Sequence, residues 1–233
     1  METTINKNSL FQLLGAAFFV QALTPLIAGL VFKSFESQEN IRITMSNVAN
    51  NISTIYGTIF LWIVTAVVII ILGVAIYRTV GHINKTMAMI ALSFYLFEAV
   101  LVAVGQTLVF GLVKASQLYL ISGDAGLLSL GNVLLSCRHF AGEIAMIPFG
   151  LGAIPFYYLL MKAGTIPKWL ALWGLVTAPF VLVGIPLTAF GVTVPFALFV
   201  PYVPFEFFTG IYILIKYRNK INQNMLYNSL SAK

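Results

Sequence analysis

Residues 55–77 read IYGTIFLWIVTAVVIIILGVAIY, a run of 23 residues without a charged side chain. A helix needs about 20 apolar residues to cross about 30 Å of hydrocarbon, so this run is long enough to span a membrane. Five other runs of similar length and composition occur along the chain. We therefore predict six transmembrane helices, which cover residues 10–32, 55–77, 87–113, 129–161, 170–190 and 193–215.

The overall composition excludes a soluble protein. Of the 233 residues, 60% are hydrophobic and 9% are charged, and the mean hydropathy is +0.95. Soluble domains are about 45–50% apolar and about 25% charged. Lipid tolerates only helices and closed barrels, and the apolar runs have no barrel-like alternation. The sequence thus predicts an all-α polytopic membrane protein with a single six-helix transmembrane domain over residues 1–233.

The basic residues predict the orientation of the chain in the membrane. The formal net charge is +6, but Lys and Arg lie at the ends of apolar runs, so we expect them to set topology and expect no nucleic-acid partner. Cytoplasmic loops are enriched in Lys and Arg, so the side with more of them is assigned to the cytoplasm. We predict a multi-pass protein of the cell membrane with both termini in the cytoplasm. The nine residues on the cytoplasmic side are Lys7, Arg78, Lys85, Lys162, Lys168, Lys216, Arg218, Lys220 and Lys233, and the three on the outer side are Lys33, Arg42 and Lys114.

The connection between the first two spans carries a helical pattern of its own. Ile41, Met45, Val48, Ile52 and Ile55 recur at spacings of four and three, which places them on one face of a helix. We predict a short helix that lies in the outer interface before the chain turns into the second span. The alternative is a solvated loop whose periodicity is accidental.

A motif at the start of the fifth predicted span resembles a known family. Residues 166–174 read Ile-Pro-Lys-Trp-Leu-Ala-Leu-Trp-Gly, which is similar to the Pro-Arg-Trp-Leu-Ala…Gly signature of a bacterial family of six-helix membrane proteins, domain of unknown function 4386. Pro204-Phe205-Glu206 and Gly210 resemble the acidic segment of that family's last helix, whereas Lys216-Tyr217-Arg218 departs from its Lys-Gly pair. The resemblance implies a six-helix membrane fold and brings no assigned activity.

Polar residues within the apolar runs predict a binding pocket, because intramembrane polar groups are costly and usually face the bundle interior. The fourth predicted span carries five of them at spacings of three and four, which is one helix face: Ser129, Asn132, Ser136, His139 and Glu143. We expect this face to meet polar groups of the third and sixth spans in a pocket that opens outward. The predicted binding residues are Glu98, Arg138, His139, Glu143 and Glu206, and the supporting polar residues are Gln106, Asn132, Ser136 and Tyr202.

The charges of this predicted pocket indicate the type of ligand. Three carboxylates against the single guanidinium of Arg138 leave an excess of two negative charges. Such a pocket favours a proton, a metal ion or an amine over an anion. We therefore expect an integral membrane protein that binds a small cationic or lipophilic ligand or a proton, and acts as a transporter or a receptor. The competing interpretation is that these polar residues only join the helices through hydrogen bonds.

An enzyme is the second functional hypothesis. His139 and Glu143 are four residues apart, and with the other carboxylates they are typical ligands of a divalent ion in an intramembrane hydrolase or lipid-modifying enzyme. The two-histidine His-Glu-x-x-His pattern is absent, and His82 lies in a predicted cytoplasmic loop. The sequence thus assigns no metal ligand, identifies no cofactor and favours a binding protein over an enzyme. Besides the lipid bilayer, a partner protein or a second copy of the chain stays open, as does a structural or regulatory role.

Overall fold

The computed structural model describes the backbone of residues 7–37 and 39–231 and the side chains of residues 8–37 and 39–218. Lys233 and the side chains of Lys7 and Lys220, which were counted for topology, lie outside the described residues. All regular structure in the described part is helical, and six helices are long and apolar enough to cross a membrane. The helices are α1 (Lys7–Lys33), α2 (Ile41–Asn50), α3 (Ile52–Val80), α4 (Lys85–Ser122), α5 (Ala125–Lys162), α6 (Lys168–Ala189) and α7 (Tyr202–Ser231). The predicted six-span all-α membrane fold is confirmed.

The six spanning helices form a closed ring in chain order. Each of α1, α3, α4, α5 and α6 contacts the next one, and α7 contacts both α6 and α1. We call the end of the bundle that holds α2 and the α4–α5 and α6–α7 connections the α2 end. The buried side chains that fill the interior come from all six spans and include Leu14, Leu72, Tyr95, Phe156, Ala178 and Phe205.

Two glycines close the ring between α1 and α7. A Cβ atom on Gly210 would lie 3.0 Å from the Gly15 carbonyl oxygen and 2.9 Å from the Phe19 backbone nitrogen. A Cβ atom on Gly15 would lie 3.1 Å from the Gly210 carbonyl oxygen. Small residues permit such close backbone approach between membrane helices, where packing rather than the hydrophobic effect holds helices together. The contact between α1 and α7 therefore depends on the absence of side chains at these two positions.

Helices α4 and α5 form a hairpin that is longer than a membrane span. Each helix has 38 residues, or about 57 Å at about 1.5 Å per residue, against about 30 Å of hydrocarbon. The third and fourth predicted spans leave residues 114–128 between them, whereas the observed turn is only Gly123 and Asp124. Gly123 has a φ of 67°, which glycine adopts without strain, and the Asp124 side chain caps α5 by accepting from the Gly126 backbone nitrogen.

The short helix α2 confirms the periodicity found in the first connection. Asn40 caps it, and the side chains of Met45 and Val48 are fully buried. They belong to a second apolar cluster that includes Val109 and Leu112 of α4. The predicted apolar stripe is therefore covered by the extended α4–α5 hairpin, and Ile52 and Ile55 of the same stripe belong to α3.

The last helix begins later than the sequence indicated. The predicted span starts at residue 193, whereas α7 starts at Tyr202, nine residues further on. Residues 190–201 are irregular apart from one 3₁₀ turn at Phe196–Leu198. Pro195 and Pro201 lack the backbone N–H that a continuous helix would use, and α7 begins only after both of them.

The predicted orientation places the α2 end outside the cell, and it can be tested with single cysteines in a Cys137→Ser background, because Cys137 itself shares a helix face with the exposed apolar side chains of Val133 and Phe140. We expect a membrane-impermeant maleimide to label a cysteine at exposed Ser122, beside the turn of the α4–α5 hairpin, in intact cells. In a Cys137→Ser background, a cysteine at exposed His82 in the α3–α4 connection should be labelled only after the membrane is permeabilised. Labelling of the His82→Cys variant in intact cells would show the opposite orientation.

The glycine contact predicts that Gly210→Ala destabilises the protein although alanine is a better helix former than glycine. The added methyl group meets backbone atoms of α1, which cannot move aside as a flexible side chain can. We expect the free energy of unfolding to fall by about 1–3 kcal/mol, seen as a lower melting temperature in detergent. The control is Gly57→Ala on α3, where a Cβ atom meets nothing within 4 Å. Equal melting temperatures for the two variants would contradict this description of the α1–α7 contact.

Candidate functional site

A central cavity of about 620 Å³ lies inside the ring of helices. All six spans contribute to its lining, through residues such as Gln21, Trp62, Glu98, Phe149, Val181 and Glu206. The irregular segment before α7 adds Phe196, Phe199 and Val200. Its volume lies within the range of about 300–1,000 Å³ that is typical of small-molecule sites, and most of its lining is apolar or aromatic.

Two buried carboxyl groups are the acidic groups of the central cavity. The exposed fractions are 3% for Glu98 on α4 and 9% for Glu206 on α7. Tyr202, one turn earlier on α7, donates from its hydroxyl to Oε1 of Glu206 over 2.9 Å, and its oxygen also contacts the Tyr157 hydroxyl. Oε2 of Glu98 has no hydrogen-bond partner among the described residues. The residues that line the cavity include no Lys, Arg or His, so within the described part these carboxylates have no basic neighbour in the cavity.

Two further polar side chains of the central cavity also have unused hydrogen-bonding atoms. Oε1 of Gln21 and Nε1 of Trp62 are buried without a partner among the described residues. Gln21 lies one turn before Pro25, and because proline has no N–H, the helix supplies no donor to the Gln21 backbone carbonyl. Beside this break, the hydroxyls of Thr24 and Thr65 hydrogen-bond over 2.7 Å and join α1 to α3. The cavity thus combines an apolar wall with acceptor and donor atoms that have no partner in the described part of the chain.

A second cavity, of about 350 Å³, adjoins the central one on the side of the α2 end. Trp62, Val102, Met146 and Ile185 line both cavities and form their common wall. The polar groups of the second cavity are Gln106, Arg138, His139 and Glu143.

An ionic cluster lies between the second cavity and the α2 end. Oε1 of Glu36, in the connection after α1, lies 3.4 Å from Nη1 of Arg138 and 3.0 Å from Nε2 of His139. The Arg138 guanidinium also lies 3.8 Å from the centre of the Phe32 ring, which is a cation–π contact. Glu36, His139, Asn132 and Ser136 line an open polar hollow of about 700 Å³, which we call the vestibule.

The structure divides the residues that the sequence placed in one pocket. Glu98, Glu206 and Tyr202 belong to the central cavity, whereas Gln106, Arg138, His139 and Glu143 line the second cavity and Asn132 and Ser136 line the vestibule with His139. In an antiparallel hairpin that turns between residues 123 and 124, Glu143 lies level with Val104. That position is six residues, or about 9 Å, closer to the α2 end than Glu98. The spacing of polar residues along one helix, from which the single pocket was predicted, does not contain this offset.

Sequence reasoning also missed several groups that the structure brings to these sites. Gln21 is an amide in the middle of the first apolar run, a signal that was available. Glu36 lies between α1 and the periodic stretch that begins at Ile41, and nothing in the sequence pairs it with residue 138, 102 positions later. Trp62 and Tyr157 stand in apolar runs where an aromatic residue normally indicates packing or lipid contact.

The metal hypothesis required His139 and three carboxylates in one place. His139 instead lies against Glu36, Glu143 accepts a hydrogen bond from Thr188, and the other two carboxylates belong to the central cavity. Among the described residues, no group of three or more His, Cys, Asp or Glu side chains is arranged to hold a metal ion.

One comparison with known proteins identifies a family. The family model described as "Domain of unknown function (DUF4386)" matches residues 13–216, which cover at least part of each of the six spans. No curated protein and no solved structure matches the chain. The resemblance inferred from residues 166–174 and the segment around Glu206 is confirmed by this match.

The ionic cluster predicts that Glu36 stabilises the α2 end. In Glu36→Gln, the partly buried Arg138 guanidinium loses its acidic partner but remains over the Phe32 ring. We expect the free energy of unfolding to fall by about 1.5–3 kcal/mol, the range for a hydrogen bond to a charged group, and the melting temperature in detergent to fall with it. Glu39→Gln is the matched control, because Glu39 is exposed in the same connection and forms no ion pair among the described side chains. A control variant that loses as much stability would refute a specific role for Glu36.

Proposed function

Because the chain belongs to the family described as domain of unknown function 4386, a description that names no activity, we propose its function from the central cavity alone. We propose that the protein binds a lipophilic amine inside the membrane, with Glu98 and Glu206 as the acidic partners of the ammonium group. The structure has six helices that can span a membrane, and the class of ligand is what we propose in addition.

The observation that carries the proposal is the pair of buried carboxylates without a basic neighbour in the cavity. A buried carboxylate is costly unless it is paired or hydrogen-bonded. Glu206 is partly satisfied by Tyr202, whereas Oε2 of Glu98 accepts no hydrogen bond from the described residues. An ammonium group supplies one positive charge and up to three N–H donors. It therefore offers what Glu98, Glu206 and the Gln21 amide oxygen lack.

The apolar part of the cavity supports a ligand with a hydrophobic body. Trp62, Phe149 and Phe199 contribute aromatic rings to the wall, and a cation gains additional attraction over such faces. Phe149 and Tyr202 pack edge to face with ring centres 5.3 Å apart, which presents a rigid surface beside Glu206. The negative charges disfavour an anionic ligand. A small hydrated metal ion would leave most of the apolar wall unused.

The same bound state serves either a transporter or a receptor. With the α2 end outside, as the basic residues predict, the second cavity and the vestibule lie between the central cavity and the external solution. This arrangement supports a ligand that comes from outside the cell. Cargo movement requires the cavity also to open toward the opposite end, whereas sensing requires only that occupancy changes a contact with a partner.

The proposal predicts saturable binding of dansylcadaverine, a primary amine joined to an apolar fluorophore, to the purified protein in detergent. We expect its fluorescence to rise and shift to the blue as the dansyl group leaves water. Glu98→Gln and Glu206→Gln should each weaken binding about tenfold, because each removes a charge-assisted hydrogen bond of about 1.5–3 kcal/mol.

Two controls make this measurement specific. Asp124→Asn, at the tip of the α4–α5 hairpin, should bind like the unmodified protein because it lies far along both helices from the cavity. Dansylamide, which has the fluorophore without the amine, should show no saturable binding. Absence of saturable binding to the unmodified protein, or equal affinity in all three variants, would refute the proposed function.

A further inference from the structure

We propose that Glu143 and Gln106 form a second ammonium subsite, through which the ligand passes between the vestibule and the central cavity. This inference rests on the proposed function of the central cavity and adds the route by which the ligand reaches it. Glu143 belongs to α5 and Gln106 to α4, and both line the second cavity.

Glu143 is poorly satisfied by the protein. The Thr188 hydroxyl lies 3.2 Å from Oε1 of Glu143 and 2.6 Å from the Ile185 carbonyl oxygen. A hydroxyl group has one proton to donate, and the shorter contact, to the Ile185 carbonyl oxygen, is the stronger of the two hydrogen bonds. Among the described side chains Glu143 forms no ion pair. The carboxylate therefore lies at the second cavity with at most a shared donor.

Gln106 adds an acceptor atom to the same cavity. Its Nε2 atom donates to the Val102 carbonyl oxygen over 3.2 Å, which determines which end of the amide is the oxygen. Its Oε1 atom is buried and has no partner among the described residues. An unpartnered amide oxygen and a poorly satisfied carboxylate in one cavity require a donor with positive charge.

The basic side chains of the second cavity are engaged elsewhere. Arg138 forms its ion pair with Glu36 and stacks on Phe32, and His139 also contacts Glu36. Glu36 is thus the acidic partner of both basic side chains. A ligand ammonium group can then approach Glu143 without displacing an existing ion pair of that carboxylate.

The subsite contains the same types of polar group as the central cavity and lies closer to the α2 end. Each cavity offers one poorly satisfied glutamate and one glutamine oxygen without a partner: Glu98 with Gln21, and Glu143 with Gln106. Glu98 and Gln106 are eight residues apart on α4, which is about 12 Å along the helix. The common wall with Trp62 separates the two sets, and His139 lies at the boundary between the second cavity and the vestibule.

A route through the lipid is the competing explanation for access. Phe196 and Val200 line the central cavity and are also 77% and 48% exposed on the surface of the bundle. A lipophilic amine that entered between them would bypass Glu143. The two routes differ in which residues control the rate of binding.

The test measures dansylcadaverine association and dissociation by stopped-flow fluorescence with the full-length protein in detergent. On the proposed route, Glu143→Gln slows association and dissociation by similar factors, of about tenfold, because a charge-assisted contact is lost on the path and not in the final site. The equilibrium dissociation constant then stays within about twofold. Gln106→Leu should slow both rates in the same way, Glu143→Asp should restore part of the loss, and Asp124→Asn should match the unmodified protein.

The remaining outcomes each overturn the inference. Unchanged rates in both Glu143→Gln and Gln106→Leu would indicate access from the lipid. Weaker equilibrium binding with an unchanged association rate would place Glu143 in the final site. Failure of the proposed function is distinguished beforehand, because the unmodified protein would then show no saturable binding at equilibrium.

Discussion

In hydrocarbon every backbone N–H and C=O group must find its partner within the protein, and the architecture of this chain depends on that constraint. Each span satisfies it as a helix, and prolines inside α1, α5 and α6 each leave one backbone carbonyl without its helical donor. Pro25 frees the Gln21 carbonyl beside the central cavity, and Pro195 and Pro201 lie in the irregular segment that precedes Tyr202. The irregular segment before α7 lines the cavity with Phe196, Phe199 and Val200.

The same low-polarity surroundings make every unsatisfied side-chain atom expensive. Much of the bundle interior is tightly packed, because the rings of Phe205 and Tyr95 lie directly against Gly174 and Gly152. The central cavity, in contrast, is not filled by side chains, and Glu98, Gln21 and Trp62 keep polar atoms without a partner in the described part of the chain. Buried hydroxyls without a partner in the described part also occur at Tyr95, Ser116 and Thr209, away from the lining of this cavity. The grouping of three such atoms around one unfilled volume is the feature on which the proposed binding site rests.

The long α4–α5 hairpin organises the approach to this cavity. Because both helices continue past the span, α2 packs on them through Met45 and Val48, and the connection after α1 is held against α5 by Glu36. One carboxylate there contacts both Arg138 and His139. The acidic side chains of Glu143, Glu98 and Glu206 line the two cavities deeper in the bundle.

The sequence by itself determined the class of fold, the six spans, the short helix at Ile41–Asn50 and the family. These follow from local properties: apolar length, helical periodicity and a motif of nine adjacent residues. It also identified Glu98, Glu143 and Glu206 as the groups to explain, because an ionisable side chain in an apolar run is visible without a structure. Only the tertiary structure decided which of them share a cavity. That depends on the turn between Gly123 and Asp124, which sets the relative height of α4 and α5, and on the long-range contact of Glu36 with Arg138. The spacing of residues along one helix carries no information about the height of its neighbour, and a pairing across 102 positions leaves no periodic trace in the chain.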